Sequence, residues 1–239
     1  RDMTGIRFEV PKFLPENCTA CGHCWTQCPD SAIPGLVVEI AEVLKAAARH
    51  AADGKPLVRF SGIIEPLSRE IRQLLKTLPN PSVDGVIDLA YKNVSRGLGL
   101  EPVAQTELDQ EFARVVGILE QFPLAKTVPF FDAFEKKEEG SGGLLAVTVN
   151  PYACKGCNLC VEMCTDGALI SVKQDEETVR RLKENWKFWQ QLPDTPDRFV
   201  QIRDLHQGIG VLQTLLLKKA NYLMMVGGDG SCMGCGEKT

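Results

Sequence analysis

The stretch Cys154-Lys155-Gly156-Cys157-Asn158-Leu159-Cys160-Val161-Glu162-Met163-Cys164 places four cysteines at the spacing C-x2-C-x2-C-x3-C. The same spacing occurs once more, at Cys18, Cys21, Cys24 and Cys28. The first three cysteines of each run lie in one tight loop, so their sulfurs can converge on one centre. The fourth lies where a helix would begin and points away from that centre. Two such runs in one chain predict two sites built from thiolate ligands.

This spacing is that of the bacterial ferredoxin run, in which thiolates hold a [4Fe–4S] cluster and the fourth cysteine serves the other cluster. We therefore predict two [4Fe–4S] clusters with crossed ligation. The first ligand set consists of Cys18, Cys21, Cys24 and Cys164. The second consists of Cys154, Cys157, Cys160 and Cys28. These are called the Cys18 set and the Cys154 set below.

Other uses of cysteine fit the two runs less well. Ten cysteines could form five disulfides, but eight of them lie in two metal-type runs of a 239-residue chain, which argues against a disulfide framework. Zinc takes four ligands in pairs, whereas each run offers three cysteines in one loop plus a fourth. The cysteines therefore indicate a reducing, anaerobic cytoplasm.

Composition narrows the function classes further. A net charge of −4 and 44% hydrophobic residues are typical of a soluble protein and exclude the basic stripe of a nucleic-acid binder. No apolar run approaches the length that crosses a bilayer, so no membrane partner is expected. No signal peptide opens the chain, and Arg1 in place of Met indicates that the sequence is part of something longer.

A strand, cysteine loop, short helix and return strand are predicted around both runs, although the return strand after Cys28 is less clear. This internal repeat predicts an α+β fold, a two-cluster bacterial-ferredoxin-like domain with a large helical insertion between the two cluster motifs. The predicted parts are a first half (1–35), the helical insertion (36–134), a second half (135–174), linking helices (175–226) and a terminal segment (227–239).

Hydrophobic periodicity predicts the individual elements. Four helices fill the insertion: Leu36–Ala52, Ile63–Leu78, Ser82–Arg96 and Thr106–Phe122, the last with Thr106 as its cap. Strands are predicted over 6–14, Leu144–Val149, Ala168–Lys173 and Tyr222–Val226, and a polar linker over Glu135–Gly143. Two further helices are predicted over Asp175–Gln191 and Ile202–Lys219, and the aromatic residues Trp186, Phe188 and Trp189 indicate core packing or docking.

The terminal segment contains Cys232-Met233-Gly234-Cys235-Gly236-Glu237. Two thiolates alone complete no tetrahedral site, so a zinc half-site, a redox pair or no function at all are possible readings. A cluster site whose other two cysteines lie beyond Thr239 accounts for both the cysteines and the glycines. We expect Cys232 and Cys235 to be half of a third [4Fe–4S] site.

Four segments resemble the pyruvate:ferredoxin oxidoreductase family of 2-oxoacid:ferredoxin oxidoreductases. Residues 10–29 resemble the start of the family's ferredoxin-like domain, and residues 149–164 resemble its second cysteine run. Cys232 to Glu237 resembles the Cys-x-Gly-Cys-Gly-Glu opening of the family's thiamine-diphosphate domain, and Trp186 to Pro193 resembles the segment that links the two. The chain departs from the family in the long insertion and in Thr165, which stands where the family has proline.

The resemblance implies an iron–sulfur electron relay within a larger oxidoreductase that decarboxylates a 2-oxoacid such as pyruvate. Thiamine diphosphate and Mg²⁺ would be held outside these residues, with Glu237 as a thiamine-diphosphate contact, and no catalytic residue is assigned here. Ferredoxin or flavodoxin would accept the electrons, and the remaining domains or subunits and a homo-oligomer would complete the enzyme. Two alternatives remain: a two-cluster module of another redox complex without thiamine, and a zinc-bound interaction module whose insertion is the binding surface.

Overall fold

The computed structural model describes residues 2, 4–78, 83–200 and 210–226. Within them the chain has the predicted α+β class. The strands are β1 (Glu9–Phe13), β2 (Gly35–Val38), β3 (Leu124–Ala125), β4 (Leu144–Val147) and β5 (Leu169–Lys173). The helices are α1 (His23–Thr26), α2 (Ile40–Ala51), α3 (Val58–Thr77), α4 (Val83–Leu98), α5 (Pro102–Leu119), α6 (Ala133–Lys137), α7 (Leu159–Glu162), α8 (Glu176–Gln191), α9 (Val211–Leu215) and α10 (Lys219–Met225).

The strands next to the cysteine runs are exchanged between the two halves. β1, which leads into the first run, pairs antiparallel with β5, which follows the second run, and Phe13 lies opposite Leu169. β4, which leads into the second run, pairs antiparallel with β2, which follows the first, and Gly35 lies opposite Val147. The two halves therefore form one unit, because neither half contains both partners of a pair.

The sheet β2-β4-β3 separates two hydrophobic clusters. Leu36 and Val38 of β2 belong to the cluster on the helical side, whereas Val37 between them belongs to the cluster that contains the cysteine loops. This alternation follows from strand geometry, since successive side chains point to opposite faces. All four residues of β2 and of β4 are buried, so the sheet is covered on both faces.

The helical side is built from α2 to α5, with α3 against both α2 and α4 and α2 against α5. Tyr91 of α4 stacks on Phe112 of α5 at a ring-centroid distance of 3.7 Å. The aromatic residues of α8 join this cluster: Trp186 stacks on Trp189 at 4.9 Å, and Phe188 is buried beside them. Core packing, one of the two roles predicted for the α8 aromatics, is confirmed.

Three helix starts in the insertion were wrong, and one of them is that of α3, which begins at Val58 rather than at Ile63. Residues Gly35–Val38 form β2, so α2 begins at Ile40 rather than at Leu36. Four consecutive apolar residues fit a buried strand as well as a helix, and pairing with β4 decides between them. α5 begins at Pro102, which suits a first helical position because its missing N–H would have no partner there. Thr106 lies inside this helix, and its hydroxyl donates to the Pro102 carbonyl at 2.9 Å.

The predicted linker Glu135–Gly143 has more order than its composition indicates. It begins inside α6, and the side chain of Glu135 is only 5% exposed. One carboxylate oxygen of Glu135 lies 3.2 Å from Arg72 Nε and accepts from the backbone N–H of Gly142 at 3.0 Å. The other accepts from Gly140 N–H at 3.1 Å. The glycine-rich turn is thus anchored on a buried carboxylate.

The strand predicted over Tyr222–Val226 was wrong, because these residues belong to or follow α10. Tyr222 and Met225 are both buried and three residues apart, which is helical spacing. Of the helix predicted over Ile202–Lys219, residues 201–209 lie outside the described part, and α9 occupies Val211–Leu215. In the part of the chain that the structure describes, every helix is too short or too polar to span a bilayer.

Candidate metal centre

The two cysteine loops have the same backbone course. In each, the third cysteine lies in a one-turn helix, Cys24 in α1 and Cys160 in α7. The residue before each helix is left-handed, Gly22 with φ +79° and Asn158 with φ +59°. Left-handed residues also occupy two other matched places in the runs: Ala20 and Gly156, and Ser31 and Gly167. At each matched place one loop has glycine and the other loop has a different residue. The backbone geometry of the loop is therefore repeated, although the positions of the glycines are not.

The fourth cysteine of each run accepts a hydrogen bond at sulfur. The N–H of Ala32 donates to Cys28 Sγ at 3.2 Å, and the N–H of Ala168 donates to Cys164 Sγ at 3.2 Å. Thr165 follows Cys164 where the first run has Pro29, yet the turn is the same in both. The proline is therefore not needed to hold the fourth cysteine in this turn.

One cavity brings the Cys154 set together. Its wall includes Cys154, Cys157 and Cys160 from one loop and Cys28 from the other run. Burial raises the pKa of the Cys160 thiol to about 12, and the charges of Cys28, Cys154 and Cys157 raise it further. Burial also raises the pKa of Cys154, whereas a hydrogen bond from Gly156 N–H and the charge of Arg7 lower it.

The thiols of the Cys18 set are also close enough to one another to affect each other's pKa. Burial raises the pKa of Cys18 to about 12; the backbone N–H of Ala20 opposes this, and the charges of Cys21 and Cys164 add to it. Burial raises the pKa of Cys24 well above its ordinary value. Cys18, Cys21 and Cys164 add to this rise, and so does Cys160 of the other set. The two sets therefore adjoin each other at α1 and α7.

Free thiols are the donors that a [4Fe–4S] cluster takes. All eight cysteines of the two runs are free thiols. Among the residues described, no three His, Cys, Asp or Glu side chains are arranged to hold one metal ion. A [4Fe–4S] cluster spreads its four thiolates over separate irons, so its ligands stand farther apart than those of one zinc ion. Buried thiols that repel one another as thiolates also require nearby cations if all are to ionise.

The charged residues beside the Cys18 set differ from those beside the Cys154 set, and no sequence pattern predicted them. Lys155 Nζ lies 2.9 Å from the buried Asp30 carboxylate, whereas at the matched place in the other half Thr19 donates to Asp166 at 2.7 Å. Arg7 is 5% exposed and donates to the carbonyl oxygens of Pro151 and Cys154, at 2.6 Å each. In the sequence, the role of Arg7 is indicated only by its being one positively charged residue in the alternating segment that precedes β1.

Trp25 of α1 joins the first loop to the C-terminal helices. Its ring is 2% exposed, and its Nε1–H donates to the Gln213 carbonyl of α9 at 2.9 Å. Cys232, Cys235 and Glu237, the predicted half-site and thiamine contact, lie outside the described residues.

Among curated proteins, the chain is similar to a pyruvate-flavodoxin oxidoreductase of Rhodospirillum rubrum. The two are 26% identical over 114 residues, which is 44% of this chain and 8% of the relative. The chain therefore spans a small part of that protein. No protein-family model matches the chain, and no solved structure matches it. The similarity indicates a distant relationship to an oxidoreductase.

Proposed function

We propose that this chain is the iron–sulfur electron-relay segment of a thiamine-diphosphate-dependent 2-oxoacid:ferredoxin oxidoreductase. Its role is to hold two [4Fe–4S] clusters in adjoining sites, with Cys164 and Cys28 crossing between the halves. A [4Fe–4S] cluster supplies a one-electron carrier whose potential depends on burial and on hydrogen bonds to sulfur. The distant similarity to a pyruvate-flavodoxin oxidoreductase supports a 2-oxoacid such as pyruvate as substrate of the whole enzyme and flavodoxin or ferredoxin as acceptor.

The cavity lined by Cys28 together with Cys154, Cys157 and Cys160 carries this proposal. Cys28 is more than a hundred residues from the other three in sequence, and only the exchanged strands bring it to them. A single loop of three cysteines would leave one iron of a cubane without a protein ligand. The crossing cysteine supplies that fourth ligand, so the architecture and the donor count agree.

The protein's own groups would orient the thiolates and stabilise their charge. Backbone N–H groups of Ala32 and Ala168 already point at the sulfurs of Cys28 and Cys164. The N–H groups of Ala20 and Gly156 lower the pKa of Cys18 and Cys154 in the same way. Such hydrogen bonds fix the ligands and tune the site they hold. Cys232 and Cys235 are proposed as half of a third [4Fe–4S] site, completed by other residues of the enzyme.

Metal and sulfide analysis tests the proposal directly. Protein purified under anaerobic conditions is expected to be brown and to carry about eight irons in the two complete sets, by the four irons of each cubane. Reduction with dithionite is expected to produce an EPR signal. If the protein contains zinc and lacks both iron and acid-labile sulfide, the result supports the interaction-module alternative and contradicts the relay.

Replacing Cys164 tests the crossed ligation. Cys164→Ser is expected to release the cluster held by Cys18, Cys21 and Cys24, because its sulfur belongs to their set. Native-state alkylation followed by mass spectrometry should then label Cys18, Cys21 and Cys24 while Cys154, Cys157 and Cys160 stay protected. Cys28→Ser is the matched control and should reverse this labelling pattern. Labelling of Cys154, Cys157 and Cys160 after Cys164→Ser would show that each run holds its own cluster.

A further inference from the structure

Arg7 places a buried positive charge beside the Cys154 set. Its Nη1 donates to the carbonyl oxygens of Pro151 and Cys154, and its Nε donates to Gln174 Oε1 at 2.6 Å. Its Nη2 is buried and makes no hydrogen bond. Within the described residues no carboxylate forms an ion pair with Arg7; the exposed Asp2 acts on it through its charge without such a contact. An arginine stays protonated in proteins, so this guanidinium is a buried charge with only neutral hydrogen-bond partners.

The position of Arg7 is set by the exchanged strands. Arg7 precedes β1, and β1 pairs with β5 of the other half, so its side chain reaches the second cysteine loop instead of the first. The Cβ of Arg7 lies 2.9 Å from the place where a Cβ on Gly156 would stand. Because Gly156 has no side chain, the arginine can approach the loop this closely.

Among the residues that the structure describes, no cation takes the equivalent place beside the Cys18 set. The residue as far before Cys154 as Arg7 is before Cys18 is Gly143, which has no side chain. The charged residue that acts on Cys18 is Asp166, whose negative charge raises the pKa of that thiol. Lys155 lies in the second loop, but its charge is paired with the buried Asp30. The two sets therefore differ mainly in Arg7 on one side and Asp166 on the other.

We propose that Arg7 makes the Cys154 set the site of higher reduction potential, so that the first electron to enter the pair resides there. This inference rests on the proposed function. Each cluster gains one electron and one unit of negative charge on reduction, with no bond made or broken. A fixed buried cation stabilises the reduced form, since the surrounding protein screens its charge poorly. In the enzyme the electron comes from oxidation of the 2-oxoacid, and in the experiment it comes from dithionite.

An EPR-monitored redox titration of the anaerobically purified protein tests the proposal. Two one-electron steps are expected. Arg7→Gln should shift the reduction equilibrium of the higher step at least tenfold, which is about 59 mV downward for one electron, and should leave the lower step in place. Arg7→Lys keeps the positive charge and should retain most of the higher midpoint. Arg180→Gln, which removes an exposed arginine of α8 paired with Glu177 and Glu184, should move neither step.

The assignment of the steps needs no Arg7 variant. Cys157→Ser changes one ligand of the Cys154 set at an exposed position and should shift or abolish the higher step alone, whereas Cys21→Ser should shift or abolish the lower. The proposal is overturned if Cys157→Ser shifts the lower step, or if Arg7→Gln leaves both steps where they are. Protein without iron and sulfide would instead disprove the relay itself, and the two failures are thus distinguishable.

Discussion

At the scale of single residues, Gly156 meets two constraints. Its φ of +71° lies in the left-handed region, where a Cβ crowds the backbone and costs about 1–2 kcal/mol. A Cβ there would also stand 2.5 Å from the carbonyl oxygen of Glu9. Its counterpart in the first loop is Ala20, also left-handed, so the first loop tolerates a Cβ at this place and the second does not. The difference arises because Arg7 and β1 lie against the second loop only.

Gly156→Ala is expected to lower the free energy of unfolding by about 3 kcal/mol, as the sum of left-handed strain and overpacking. Gly167→Ala is the matched control. Gly167 has a similar φ of +65° but open space around its Cβ position, so only about 1 kcal/mol of strain is expected. Chemical denaturation followed by circular dichroism measures both. Equal losses in the two variants would show that the contact with Glu9 and Arg7 does not matter.

At the scale of elements, the start of α8 is specified by residues in and next to its first turn. Asp175 precedes the helix, and its carboxylate accepts from Thr178 N–H at 2.7 Å. Glu176 and Glu177 follow in the first turn, where negative charge is favourable. The aromatic residues of the helix then pack in the helical cluster, whereas Leu182 packs in the cluster that contains the cysteine loops. Each of these signals is local, and the predicted range Asp175–Gln191 agrees with the structure apart from the cap itself.

Asp175→Ala is expected to lower the thermal midpoint, because the first turn loses its cap. Hydrogen bonds from the side chain and backbone of Thr178 lower the pKa of Asp175. A lowered folded-state pKa gives stability that is fully present above the unfolded value of about 3.9 and is lost only as pH falls through the folded value. The difference between Asp175→Ala and the wild type should therefore be the same at pH 8 and pH 5.

Asp175→Asn serves as the control for this cap, since asparagine caps helices about as well as aspartate. It should keep most of the wild-type midpoint. A loss equal to that of Asp175→Ala would mean that the charge, and not the hydrogen bond, is what stabilises the first turn.

At the scale of the whole molecule, Thr195 ties the sheet to the C-terminal helices. Its hydroxyl accepts from Val37 N–H on the open edge of β2 at 3.0 Å and donates to the Leu217 carbonyl at 2.7 Å. The carbonyl of Thr195 accepts from Lys218 Nζ at 2.5 Å. Thr195 is 1% exposed, so water cannot replace these bonds. One side chain thus connects β2, the segment after α8 and the turn between α9 and α10.

Thr195→Val is expected to cost about 3 kcal/mol, because it leaves a buried N–H and a buried carbonyl without partners. Urea denaturation measures this loss. Thr77→Val is the control: Thr77 is exposed and its hydroxyl bonds only to the carbonyls of Gln73 and Leu74 in its own helix, so a change within about 0.5 kcal/mol is expected. A cost below about 1 kcal/mol for Thr195→Val would show that the two ends of the molecule are held together by other contacts.

Local signals account for what was predicted correctly. The period of apolar residues indicated the insertion helices, and alternation indicated β4 and β5. That the eight cysteines of the two runs are cluster ligands stays a prediction. The misassigned segments are those where local signals are ambiguous. Four apolar residues at β2 match a helix equally well, and Glu135 looks like a solvent-exposed charge until Arg72 and two backbone N–H groups are found around it.

By itself, the sequence determined the spacing within each cysteine run and the class of most elements, because these depend on neighbours a few residues apart. Only the tertiary structure decided which strands pair, which set receives Arg7, and how the β2-β4-β3 sheet divides two cores. Apart from the pairing of β3 with β4, these join residues more than a hundred positions apart, such as Arg7 and Cys154. The physical reason is that the type of a residue specifies what kind of partner its side chain needs, whereas the tertiary fold decides which such partner lies within reach.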